Sequence, residues 1–169
     1  MRASFDLSPG VNIQARLVDV LEFLALDNQE WIEAQQAAGF DPPCCAHCAE
    51  APWTSGVNYV EHHGAPKGTC REYWGAEKMF TWAQGTCADI VAYDVAALRV
   101  KGVNAHPVII PQGDNLFHAV LWREDRGQVD PTAEWTQGPA APMPGTSCGC
   151  PVSNASVNVG GCSSGSCQR

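Results

Sequence analysis

Gln84-Gly85-Thr86-Cys87-Ala88-Asp89 runs straight into Ile90-Val91-Ala92-Tyr93-Asp94-Val95-Ala96-Ala97-Leu98-Arg99. Ile90, Val91, Asp94, Val95 and Leu98 follow helical spacing, which predicts an amphipathic helix with Cys87 at or near its first turn. Free backbone N–H groups and the helix dipole both favour an anion at such a place, and a thiolate is the reactive form of cysteine. Gly85 would let the backbone approach a substrate closely.

Downstream, Lys101-Gly102 reads as the helix stop, and Val103 to Ile110 as a buried strand closed by Pro111. Leu116 to Trp122 reads as a second strand and carries His118. The charged run Arg123-Glu124-Asp125-Arg126-Gly127 is a hairpin turn, and a return strand around Gln128 and Val129 delivers Asp130-Pro131-Thr132. On adjacent antiparallel strands His118 and Asp130 can lie side by side, and packing the helix on that sheet would bring Cys87 to the imidazole. A thiol, a base to hold its proton and a carboxylate to orient the base are the three parts of nucleophilic acyl transfer. His106 lacks a downstream Asp at suitable spacing. An oxyanion needs a donor as well, and the backbone N–H of Cys87 is the first candidate, with Gln84, Trp82 and Trp74 as side-chain options. Asp89 reads as a cap or ion-pair partner at the helix start.

The blocks Gly85-Thr86-Cys87-Ala88-Asp89, Leu98-Arg99 with Gly102, His118-Ala119-Val120 and Val129-Asp130-Pro131-Thr132 resemble the core of the transglutaminase-like cysteine enzymes, a branch of the papain-like fold. The resemblance covers residues 73–132. It implies an α+β fold with the nucleophile helix packed on an antiparallel sheet. It also implies Cys87 as nucleophile, His118 as general base and Asp130 as orienter in a Cys-His-Asp triad working through an acyl-enzyme on an amide or peptide, with no cofactor required. Members of that family include protein cross-linkers, deamidases, peptide hydrolases and inactive scaffolds, so the resemblance alone does not select the reaction. In that family the base follows the nucleophile, which sets aside His47, His62 and His63.

Around this core the chain divides into an N-terminal helical segment (1–43), a Cys/His/Pro/Gly-rich loop (44–70), the catalytic core (71–134) and a Gly/Ser/Cys-rich tail (135–169). Ile13, Leu17, Val20, Leu21 and Leu24 form one apolar stripe, and Asp27-Asn28-Gln29-Glu30 reads as a capping box opening a second helix. A third helix is expected from about Arg71 to Trp82.

The chain has 169 residues, 45% of them hydrophobic and 17% charged, which suits one globular domain. A net charge of -8 without a basic cluster argues against a nucleic-acid partner. No apolar run is long enough for a membrane span, and Met1-Arg2-Ala3-Ser4-Phe5-Asp6 lacks a signal core, so the chain is expected to be made in the cytoplasm. Nine cysteines leave three options open. Cys45 with Cys48 and Cys148 with Cys150 could hold a structural zinc, although their spacing matches no standard zinc motif. Alternatively the cysteines other than Cys87 pair as disulfides in an oxidising setting, or stay reduced. The tail composition reads as flexible, and a second class of function stands beside the enzyme: a structural subunit of a large assembly such as a virus particle or contractile tail, with an enzyme-like fold as scaffold.

Overall fold

The computed structural model describes residues 12–43, 45–46, 57–61, 63, 72–113 and 116–133. They form a mixed α+β arrangement of three helices, a two-stranded parallel pair and a three-stranded antiparallel sheet.

Helix α1 spans Ile13–Ala37 without a break, about 37 Å of rod. Its N-cap, Asn12, accepts a hydrogen bond from the Ala15 N–H at 3.1 Å. Two helices were expected here, and the structure has one. The Asn28 side chain that looked like part of a cap inside this stretch is fully buried, and its Oδ1 accepts from the Ala76 N–H at 2.6 Å. It therefore caps a different helix, α2 (Ala76–Trp82), whose own N-cap, Gly75, has no side chain to do so. Helix α2 also starts later than the sequence suggests, residues 72–75 being extended or irregular.

Helix α3 spans Cys87–Val100. Thr86 caps it through a capping box with Asp89, and the Lys101-Gly102 stop holds, Gly102 sitting at φ +78°. Every residue from Ala88 to Leu98 is buried, so α3 is the central helix of the domain and not the amphipathic one expected. One face, with Ala88, Val91, Ala92, Val95 and Leu98, packs on α1 and the antiparallel sheet. The other, with Ile90, Tyr93, Ala96 and Ala97, packs on Ile32, Met79, Phe80 and Val57. Four small alanines allow neighbours to approach on both sides, and Asp94 satisfies its buried carboxylate by accepting from the Ala46 N–H at 2.8 Å.

Strand β1 (Asn58–Tyr59) lies parallel to β2 (Gln84–Gly85), so part of the Cys/His-rich stretch is clamped beside the residues leading into Cys87. A Cβ on Gly85 would meet Met79 Sδ at 3.0 Å and Ile90 Cγ1 at 3.1 Å. The close approach that this glycine permits is thus to the protein's own core. Strands β3 (Ala105–Gly113), β4 (Leu116–Arg123) and β5 (Gly127–Val129) follow in order as an antiparallel meander. Pro111 does not close β3, because β3 is an edge strand, where a residue without an N–H is tolerated. The turn after β4 is fastened by Arg123, whose Nε and Nη2 donate to the two Asp125 oxygens at 2.6 and 2.7 Å.

Candidate functional site

Cys87 is the first residue of α3, a place fixed by Thr86. The Thr86 hydroxyl and N–H both donate to Asp89 Oδ2 at 2.8 Å, while the Asp89 N–H faces Thr86 Oγ1 at 3.5 Å. The first helical hydrogen bond runs from the Ile90 N–H to the Thr86 carbonyl at 3.1 Å. The Cys87 and Ala88 N–H groups precede that bond and are the ones a helix start leaves for an external acceptor.

His118 comes from β4, opposite Ile110 of β3, and is buried. Its Nε2 donates to Asp130 Oδ2 at 2.8 Å, and the Cys87 side chain acts on the same ring. With Nε2 taken by the carboxylate, Nδ1 is the nitrogen left for sulfur. The register of β4 with β5, Leu121 opposite Val129, sets this distance, since Asp130 directly follows β5. The Cys87 side chain is the largest influence on His118; with the Asp130 hydrogen bond and charge it outweighs desolvation and pushes the imidazole up to about 9 from an ordinary 6.5. At neutral pH the ring is therefore a cation between a sulfur and a carboxylate.

Thr132 completes the group, and the sequence reading did not single it out. Its hydroxyl and its N–H both donate to Asp130 Oδ1, at 2.8 and 2.9 Å, and Oγ1 lies 3.5 Å from His118 Nε2. One Asp130 oxygen is thus held by Thr132 while the other serves His118. The signal was present in Asp130-Pro131-Thr132, since an Asp side chain bonding the backbone two residues on is the usual Asx turn.

The side-chain oxyanion candidates are placed differently. Trp82 is 63% exposed and Gln84 is exposed, while Trp74 is buried with its ring flat on His63, centroids 3.4 Å apart. Trp74 belongs to a second His–Asp pair. His63 Nε2 donates to Asp89 Oδ2 at 2.6 Å, and the Trp74 backbone N–H donates to Asp89 Oδ1 at 2.8 Å. Asp89, fully buried, ties β1's outgoing chain, the approach to α2 and the start of α3 to one carboxylate. Asp89 was expected to cap; His63, upstream of the nucleophile, was set aside, and its structural role comes from a contact that sequence order does not reveal.

Of the proposed zinc ligands, Cys45 is disulfide-bonded and so has no thiolate to offer a metal. Cys48, Cys148 and Cys150 lie outside the described residues, as does the tail. Among the described residues no cluster of His, Cys, Asp or Glu could hold a metal ion, and no helix is long and apolar enough to cross a membrane.

Beside Cys87 is a narrow cleft of about 30 Å³ between Leu17 and Leu21 of α1, Ala88 of α3, Ile109 of β3 and Phe117 of β4. Tyr73 closes one side. Compared with protein-family models, curated proteins and solved structures, the chain finds no match.

Proposed function

We propose that this chain is a thiol-dependent acyl-transfer enzyme, an amide or peptide hydrolase with the nucleophile helix and following strands of the transglutaminase-like branch of the papain-like fold. The observation that carries the reading is His118 hydrogen-bonded to the Asp130 carboxylate at 2.8 Å, with Cys87 as the strongest influence on its ring. Nucleophile on a helix start, base on the second strand after it and acid after the following hairpin is the order that the resemblance implies.

In this reading the Cys87 thiolate attacks the carbonyl carbon of a protein or peptide substrate, forming a C–S bond as the carbonyl electrons move to oxygen. The Cys87 N–H is the nearest preorganised donor to that oxygen. Collapse breaks the C–N bond, and His118 gives its proton to the departing amine. Acylation removes the sulfur partner that most raises the His118 pKa, and the ring, having given its proton to the amine, is neutral and can take one from the attacking water. Water adds, the C–S bond breaks, and the acid and the thiolate–imidazolium pair are regenerated. Asp130, held by Thr132, keeps Nε2 protonated throughout. The disulfide at Cys45 favours a mature protein that meets an oxidising setting after synthesis.

The test is the pH dependence of alkylation at Cys87. Cys87→Ala should lose labelling by iodoacetamide at that site. The intact protein should keep most of its alkylation rate from pH 8 to pH 6, whereas His118→Ala should fall about tenfold per pH unit below the 8.5 of an ordinary thiol. Identical profiles for the two proteins would overturn the reading.

A further inference from the structure

We infer that Tyr73 is a second oxyanion donor: its phenol O–H donates to the carbonyl oxygen of the acyl group as that oxygen takes up charge, alongside the Cys87 N–H. The inference rests on the acyl-transfer reading and adds a catalytic residue to it.

Oxyanion holes combine backbone N–H groups with side-chain donors. The described residues leave few candidates for the second kind. The Thr86 hydroxyl is given to Asp89 and the Thr132 hydroxyl to Asp130. Trp82 and Gln84 are exposed and do not line the cleft beside Cys87, and Trp74 is buried with its ring on His63. Among the described side chains that share the cleft wall with Cys87, Tyr73 alone carries an O–H or N–H group, the others being Leu, Ala, Ile and Phe.

Tyr73 is also held in a way that suits the task. It is half-buried against the core formed by α1, α3 and the sheet, and it lines the cleft as well, so the ring is supported on one side and open to a substrate on the other. The chain beside it is fastened at the Trp74 backbone N–H, which donates to Asp89 Oδ1 at 2.8 Å. The same carboxylate takes the Thr86 N–H on Oδ2 at 2.8 Å, and Thr86 with Asp89 sets the start of α3, where the Cys87 and Ala88 N–H groups are left for an external acceptor. One buried carboxylate therefore registers the neighbour of Tyr73 against the backbone donors, with His63 on Oδ2 at 2.6 Å as a further tie. Donors fixed in advance need no reorganisation when charge develops on the oxygen.

A phenol fits the charge of the site too. It is neutral at pH 7, so unlike an ammonium or guanidinium it does not compete with His118 for the thiolate. Toward an oxyanion it makes the short, charge-assisted kind of hydrogen bond. No proton leaves it. The Cys87 sulfur bonds the acyl carbon, the carbonyl pair moves to oxygen, and on collapse that pair returns as the leaving group departs.

The experiment separates charge on oxygen from reactivity of sulfur. Iodoacetamide alkylates Cys87 by displacing iodide at a saturated carbon and makes no oxyanion. By contrast, p-nitrophenyl acetate acetylates the thiolate through one and releases p-nitrophenolate. Both second-order rates are measured on the full chain and on Tyr73→Phe, which keeps the ring and loses only the hydroxyl, with Cys87→Ala as the background. Acetylation should fall about 10²-fold in Tyr73→Phe, while alkylation from pH 8 to pH 6 stays within about twofold of native. Acetylation of Tyr73→Phe at the native rate would overturn this inference and leave the acyl-transfer reading standing. A parallel fall in both rates would overturn it as well, because the hydroxyl would then act on the sulfur or the fold. A native Cys87 that iodoacetamide alkylates but the ester does not acetylate would overturn the acyl-transfer reading and this inference with it.

Discussion

His118 gathers the most physical content of any single residue. Its folded pKa, about 9, stands above the ordinary 6.5, so protonation is tighter in the folded chain. The sign follows from linkage: the stabilisation is complete below about pH 6.5 and disappears as pH rises through about 9. The side chain is only 10% exposed, so the effect is not erased by solvent, and it is on the order of 3 kcal/mol at most. Urea unfolding of the native chain and His118→Gln should show their largest stability difference at pH 6 and a much smaller one at pH 9.5. A difference that grows toward pH 9.5 would mean the imidazole is not held by its two partners. At this scale the sequence was informative, because Cys87 and Asp130 stand beside element boundaries and His118 within a short apolar strand, all of them local signals. Thr132 and His63 were harder to see. Their importance comes from which carboxylate they touch, Asp130 in one case and Asp89 in the other, and only the folded chain decides that.

Among elements, the two caps compare a local with a distant solution to the same need. Thr86 caps α3 from the adjacent position, whereas Asn28 reaches α2 across 48 residues. Thr86→Ala should lower stability by about 1 kcal/mol through the lost cap. Asn28→Ala should cost about 1–2 kcal/mol, because the Ala76 N–H is left buried without an acceptor. Denaturation midpoints of both variants, with Thr86→Ser restoring most of the first loss, would check this. The same contrast explains why α1 runs on through Asp27-Asn28-Gln29-Glu30. Asp27-Asn28-Gln29-Glu30 has the composition of a helix start, yet Asn28 spends its oxygen on another helix and the rod continues to Ala37. The hairpin from β4 to β5 was legible since its turn chemistry is local, whereas the two buried faces of α3 were hidden in alanines that carry little hydrophobic signal.

For the whole molecule, the elements around α3 divide between its two faces: the antiparallel sheet with Leu21, Leu24 and Ala25 of α1 on one, and α2, the β1–β2 pair and Ile32 of α1 on the other. An α+β class with an antiparallel sheet could be anticipated from the order of periodic segments, while the parallel β1–β2 pair could not, since two residues per strand leave no pattern. The outer margin of that sheet is built in a way the packing does not require. Pro107 and Pro111 lie on β3 opposite Leu121 and Phe117, and because neither has an N–H, their donor sides are the ones turned away from β4. Ile109, between them with the same orientation, has its carbonyl occupied by Gln14 Nε2 at 2.8 Å. A foreign strand arriving there would find two missing donors and a blocked acceptor, so fibrils cannot readily grow from this border. Pro111→Val should restore one docking point, and under agitation at 37 °C it should shorten the lag before thioflavin fluorescence appears, while the native chain stays dark for longer.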